Sequence, residues 1–163
     1  MKSCLIWGAV LIGAYVLQSG FFPLLAYHGI SVDLLLLSVM SFGLLKGSKS
    51  GVLMGFMAGV LQDAASGTFF GMNIFSKMII GYLCGSVANR VFKEQFFLPI
   101  CATVFATLMN YFILAVIVLL LGYRFNLIVH LRLVLLPMLL YNIVFAFPVH
   151  TLFCWLCEKV NEK

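Results

Sequence analysis

The stretch Gly51-Val52-Leu53-Met54-Gly55-Phe56-Met57-Ala58-Gly59-Val60-Leu61-Gln62-Asp63 decides the reading of this chain. Steps of four place Gly51, Gly55, Gly59 and Asp63 along one face of an α-helix. Three glycines on that face leave a groove that a second backbone can approach closely. The row ends in a carboxylate among apolar residues, a costly placement that points to a pairing or a function. The segment is expected to be a packing seam that carries a charge to a defined depth in a membrane.

Composition supports the membrane setting. Of 163 residues, 64% are hydrophobic and 9% charged, and the mean hydropathy is +1.15. A soluble domain carries roughly 25% charged residues. Long apolar runs fill nearly the whole chain, so residues 1–163 read as a single integral membrane domain with short loops. The first run has the flavour of a secretion signal, with Lys2 ahead of Leu5–Leu17. It continues to about Leu25, longer than a signal's apolar core, and is expected to remain as the first helix.

The expected fold is an all-α membrane protein of six transmembrane helices. The predicted spans are Cys4–Leu25, Ser31–Leu45, Gly51–Gly67, Phe70–Val91, Phe97–Gly122 and Leu133–Leu156. A crossing helix needs about 20 residues, so the second span is either short, re-entrant or begins earlier. Discarding it would leave five spans with the termini on opposite sides. With six spans and a cytoplasmic N-terminus, Lys2, Lys46, Lys49, Arg90, Lys93, Lys159 and Lys163 fall inside. Only Arg124 and Arg132 fall in outer loops, and Lys77 lies within a span. That asymmetry follows the positive-inside rule. The net charge of +5 is thus a topology signal and needs no nucleic acid. Both termini are expected in the cytoplasm.

Spans three and four are separated by Ser66-Gly67-Thr68 and form an antiparallel hairpin. Taking its centre near Phe70, Asp63 and Lys77 lie at similar depth, about 10 Å along the helix axis from the turn. They are expected to face each other as a pair, in a pocket or a partner contact. The other reading is that both reach the headgroup layer, Lys77 by extending its long stem. Gln18, Asp33, Gln62, Asn73 and Asn142 share the same outer half. These residues with Asp63 and Lys77 are the candidate polar cavity or partner contact, with interhelical hydrogen bonding as the alternative. Asn110, near the middle of span five, reads as a residue joining helices. Gly81 and Gly85 repeat the four-residue spacing in span four and extend the candidate intramolecular seam of Gly51, Gly55 and Gly59, for which a dimer face is the alternative. Pro137 and Pro148 interrupt span six and are expected to bend it.

No catalytic constellation appears, and no enzyme activity, cofactor or metal is expected. His28, His130 and His150 lack metal-ligand spacing. Cys154-x-x-Cys157 lies at the inner end of an apolar helix, where the compartment keeps thiols reduced. No phosphate-binding glycine loop is present.

The ordered set of motifs resembles the MreD family of rod shape-determining membrane proteins. The residues that carry the resemblance are Gln18 with Phe21-Phe22-Pro23, Asp33-Leu34-Leu35-Leu36-Leu37, and Leu45-Lys46-Gly47. Next come Gly51-x-x-x-Gly55-Phe56-x-x-Gly59-x-x-Gln62-Asp63, Gly71, and Gly81-Tyr82. The last are Pro137-x-x-x-Tyr141-Asn142 and Pro148. One departure is Val32, where the family often has proline.

The resemblance implies a non-enzymatic component of the bacterial cytoplasmic membrane that supports lateral peptidoglycan synthesis. It implies association with MreC, a single-span protein with a large periplasmic part. Through that complex it implies links to MreB, RodA and a class B penicillin-binding transpeptidase. It also implies a bundle similar to the substrate-binding S-components of energy-coupling-factor transporters, so a small-molecule or lipid-binding transport subunit is the alternative function. On the first reading the chain holds the MreC transmembrane helix against a surface rich in small residues.

Overall fold

The computed structural model describes residues 2–26, 29–67, 69–88, 97–122 and 127–161. The described residues form six helices. They are α1 (Lys2–Gly20), α2 (Leu34–Lys46), α3 (Ser48–Ser66), α4 (Met72–Ala88), α5 (Phe97–Leu120) and α6. The last begins as Leu127–His130, passes through a π-helical turn at Leu131–Leu135 and continues as Leu136–Asn161. A 3-10 turn, Phe22–Leu25, follows α1. His28, Thr68, Arg90, Lys93, Arg124 and Lys163 lie outside the described residues.

The shortest helix occupies the centre. All of Leu34–Gly43 is buried, and α1, α3, α4, α5 and α6 each pack against α2. Its sequence explains this position. Leu34-Leu35-Leu36-Leu37-Ser38-Val39-Met40 has no polar stripe, and a helix apolar all round is stable only when enclosed. One face carries Leu35, Val39 and Phe42 into a cluster with Trp7, Leu11, Met54 and Phe153. The other carries Leu36, Leu37 and Met40 toward Ile80, Ala106 and Ala146. At 13 residues α2 is about 20 Å long, less than the hydrocarbon thickness of about 30 Å. It begins at Leu34, later than the expected Ser31, because Asp33 caps it.

Two aromatic clusters fix how the ends of the chain are arranged. Trp7 packs edge-on to Phe42 at 4.6 Å and stacks on Phe153 at 5.7 Å. Phe22 meets Phe145 edge-on at 4.9 Å. Hence α1 and α6 run antiparallel, and their terminal halves lie at one end of the bundle beside the C-terminal half of α2. Gly47 joins α2 to α3 without a loop, at φ +83°, a conformation that L side chains rarely adopt.

Among the described residues, three helical segments are long and apolar enough to cross a membrane: Ile6–Leu24, Leu98–Leu120 and Leu131–Val160. Leu34–Lys46 and Met72–Val87 are shorter apolar helices. Phe105, Leu108, Phe112 and Leu119 on α5, with Leu140 and Val144 on α6, are exposed. Exposed apolar side chains of this kind suit lipid. Two prolines act differently along α6. Ahead of Pro137, the Leu136 N–H donates to the carbonyl of Leu131, five residues back. Pro137 supplies no N–H, and the turn widens before it. Pro148 lies inside continuous helix.

Candidate functional site: a buried polar frame and a glycine seam

The N-terminus of α2 is buried, so its unpaired N–H groups need partners. Three helices supply them. Asp33 accepts the Leu36 N–H on Oδ1 at 2.9 Å, capping its own helix. Gln18 of α1 accepts the Leu35 N–H at 3.2 Å. Asn142 of α6 accepts the Asp33 N–H at 3.0 Å. Asn142 then donates from Nδ2 to Thr107 of α5 at 3.0 Å. The second oxygen of Asp33 takes the Lys77 ammonium of α4 at 3.1 Å. Lys77 is 0% exposed. Five helices are thus linked at the N-terminus of α2, where the Asp33 carboxylate also sits at the positive end of the α2 dipole.

Asp63 serves a different helix. Its carboxylate accepts the Gly71 N–H at 2.8 Å, the Asn73 N–H at 3.2 Å and the Ile74 N–H at 3.2 Å. The Asn73 side-chain amide donates to it at 2.8 Å. Asp63, carried by α3, therefore caps the start of α4. Gly71, at φ +111°, turns its N–H into this cradle.

The expected pairing of Lys77 with Asp63 is corrected: the ion pair is Lys77–Asp33. The reason is the hairpin register. A Cβ built on Gly51 would strike the Gly81 carbonyl, one on Gly55 the Lys77 carbonyl, and one on Gly59 the Ile74 backbone. Lys77 therefore lies level with Gly55, eight residues or about 12 Å below Asp63. The assumed centre near Phe70 is three to four residues too late.

The glycines themselves lie backbone to backbone. Gly55 would bring a Cβ to 2.6 Å from the Lys77 carbonyl carbon, and Gly59 to 2.7 Å from the Ile74 nitrogen. Gly81 faces Gly51, and Gly85 faces Gly47 and Ser48. Gly43 of α2 joins the same contact, where a Cβ would stand 3.0 Å from the Gly81 carbonyl. Sequence reasoning missed Gly43, although its four-residue step to Gly47 and Gly51 is visible in the chain.

Asn110 joins two helices, accepting the Ser76 hydroxyl at 2.6 Å. Ser76 and Thr107 were not singled out from the sequence; hydroxyls are too common in helices to signal such bonds. Gln62 stands apart from the frame, its buried Oε1 without a partner among the described residues. Cys154 and Cys157 are free thiols. Among the described residues, no group of three His, Cys, Asp or Glu side chains is placed to hold a metal.

Comparison with protein families matches residues 2–160 to the rod shape-determining protein MreD. The chain belongs to the MreD family. No curated protein and no solved structure gives a match. Membership covers nearly the whole chain and assigns it a role in rod shape determination at a membrane. In this MreD family member, the motif residues Gln18, Asp33 and Asn142 meet at the α2 N-terminus, and Asp63 at that of α4.

Proposed function

We propose that this MreD-family chain is a non-enzymatic membrane scaffold of the rod complex. It holds the transmembrane helix of MreC and positions the periplasmic part of MreC. In that way it influences lateral peptidoglycan synthesis by RodA and its class B transpeptidase, and connects indirectly to MreB. The observation that carries this reading is the mutual pairing of the polar groups gathered at the N-termini of α2 and α4. Gln18, Asp33, Asn73, Lys77 and Asn142 all bond to other groups of the chain, and Asp63 receives four donors. Such an interior acts as a fixed frame. An S-component-like transport subunit would instead hold polar groups ready for a solute.

The proposed setting is the bacterial cytoplasmic membrane, crossed six times with both termini inside. The shared end of α1 and α6 supports an even number of crossings. Lys46 closes α2, Lys49 opens α3 and Lys159 lies in the last turn of α6, so three cations gather at that end. Arg132 lies at the opposite end of α6. The distribution agrees with the positive-inside rule.

The seam modifies one expectation about the partner. The small-residue faces of α3 and α4 are closed on each other, so a partner helix must use another surface. Purification from native membranes tests the function. The scaffold reading expects MreC in the isolated complex. A bound vitamin-sized solute together with ATPase subunits would overturn it.

A further inference from the structure

The outer face of α6 carries a groove of about 620 Å³. Arg132 stands at one end, and Leu136, Pro137, Leu140, Tyr141 and Val144 line its length. Its origin is local. The π turn at Leu131–Leu135 widens the helix just before Pro137, and the side chains beyond it project outward. Leu136, Leu140 and Val144 form one row at four-residue spacing, and each is more than half exposed.

We propose that this groove binds one anionic glycerophospholipid, with its phosphate on the Arg132 guanidinium and an acyl chain along Leu136, Leu140 and Val144. Two observations select this occupant. The first is charge. Arg132 is exposed and has no ion pair or hydrogen bond among the described residues. A guanidinium binds phosphate oxygens in a two-point geometry that suits a phospholipid headgroup. The rest of the lining offers almost only carbon.

The second is depth. The groove runs from Arg132 to Phe145, thirteen residues or about 20 Å of helix. Half a bilayer, headgroups included, is also about 20 Å. A lipid of one leaflet fits that span, cation at the headgroup level and apolar rows below. A transmembrane helix requires both leaflets. The proposal is independent of the MreC reading.

The test is native mass spectrometry of the purified full chain exchanged into mixed phosphatidylglycerol and phosphatidylcholine. The expected result is one retained phosphatidylglycerol, favoured over phosphatidylcholine by about fivefold. Arg132→Gln, an exposed change that leaves the bundle intact, should bring the two lipids to near parity. Val144→Trp should reduce retention of both by filling the groove. Equal retention of the two lipids by the unaltered chain would overturn the proposal, as would an undiminished preference in Arg132→Gln. A Leu140→Cys variant that cross-links to a partner's transmembrane helix while lipid retention is unaffected by Val144→Trp would assign the groove to protein instead.

Discussion

Lys77 reaches Asp33 across the bundle, ammonium to carboxylate at 3.1 Å, with no part of Lys77 exposed. The pair is asymmetric. Without Lys77, Asp33 keeps the Leu36 N–H and the start of α2. Without Asp33, a buried ammonium is stranded and α2 loses its cap. Asp33→Ala should therefore destabilise more than Lys77→Met. The first falls in the range of about 3–5 kcal/mol for breaking a buried pair. Thermal melting of the two purified variants in detergent checks the order.

Glycine substitutions should separate by position. Gly55→Ala places a methyl against the Lys77 carbonyl, and a backbone atom cannot rotate away. Overpacking of this kind costs about 1–3 kcal/mol, and Gly55→Leu should cost more and lower the amount of folded protein. Gly13→Ala meets nothing within 4 Å and should be tolerated. Normal accumulation of Gly55→Leu together with normal rod shape would contradict a closed seam.

Asp63→Asn tests the cap on α4. All four groups that approach this carboxylate are N–H donors. An amide turns one NH₂ toward donors and forfeits part of the set. The expected loss is about 1–3 kcal/mol, read as a lower melting temperature and faster hydrogen exchange at Gly71, Asn73 and Ile74. Association with MreC should survive at temperatures where the variant is folded. A folded Asp63→Asn protein that no longer binds MreC would make the charge a partner contact.

Much of this arrangement was legible in the sequence because of spacing. Steps of four placed Gly51, Gly55 and Gly59 on one face, and Gly81 and Gly85 on the helix they meet. The six apolar segments correspond to six helices. The unbroken apolar run of α2 was harder to read. Its length suggested a doubtful span, whereas its lack of any polar face explains its central place. The partner of Lys77 was hidden for a different reason. Sequence distance from a turn gives depth only when the turn's centre is known, and the contacts of Gly55 and Gly59 place that centre nearer Gly67 than Phe70. Asp33 is 44 residues from Lys77 in sequence, and no periodicity connects them. Thr107 and Ser76 carried no signal, since a hydroxyl on an apolar helix ordinarily bonds to its own backbone.

The central claim is that the Asp33–Lys77 pair holds the interior of the bundle. A double-mutant cycle on Asp33→Asn and Lys77→Met, read by thermal or denaturant unfolding, tests it most directly. Removing both charges leaves neither one stranded. The double variant should therefore be less destabilised than the sum of the singles, by about 1–3 kcal/mol. The parallel cycle of Asp63→Asn with Lys77→Met should be additive to within about 0.5 kcal/mol. Additivity at Asp33, with coupling at Asp63, would contradict the account.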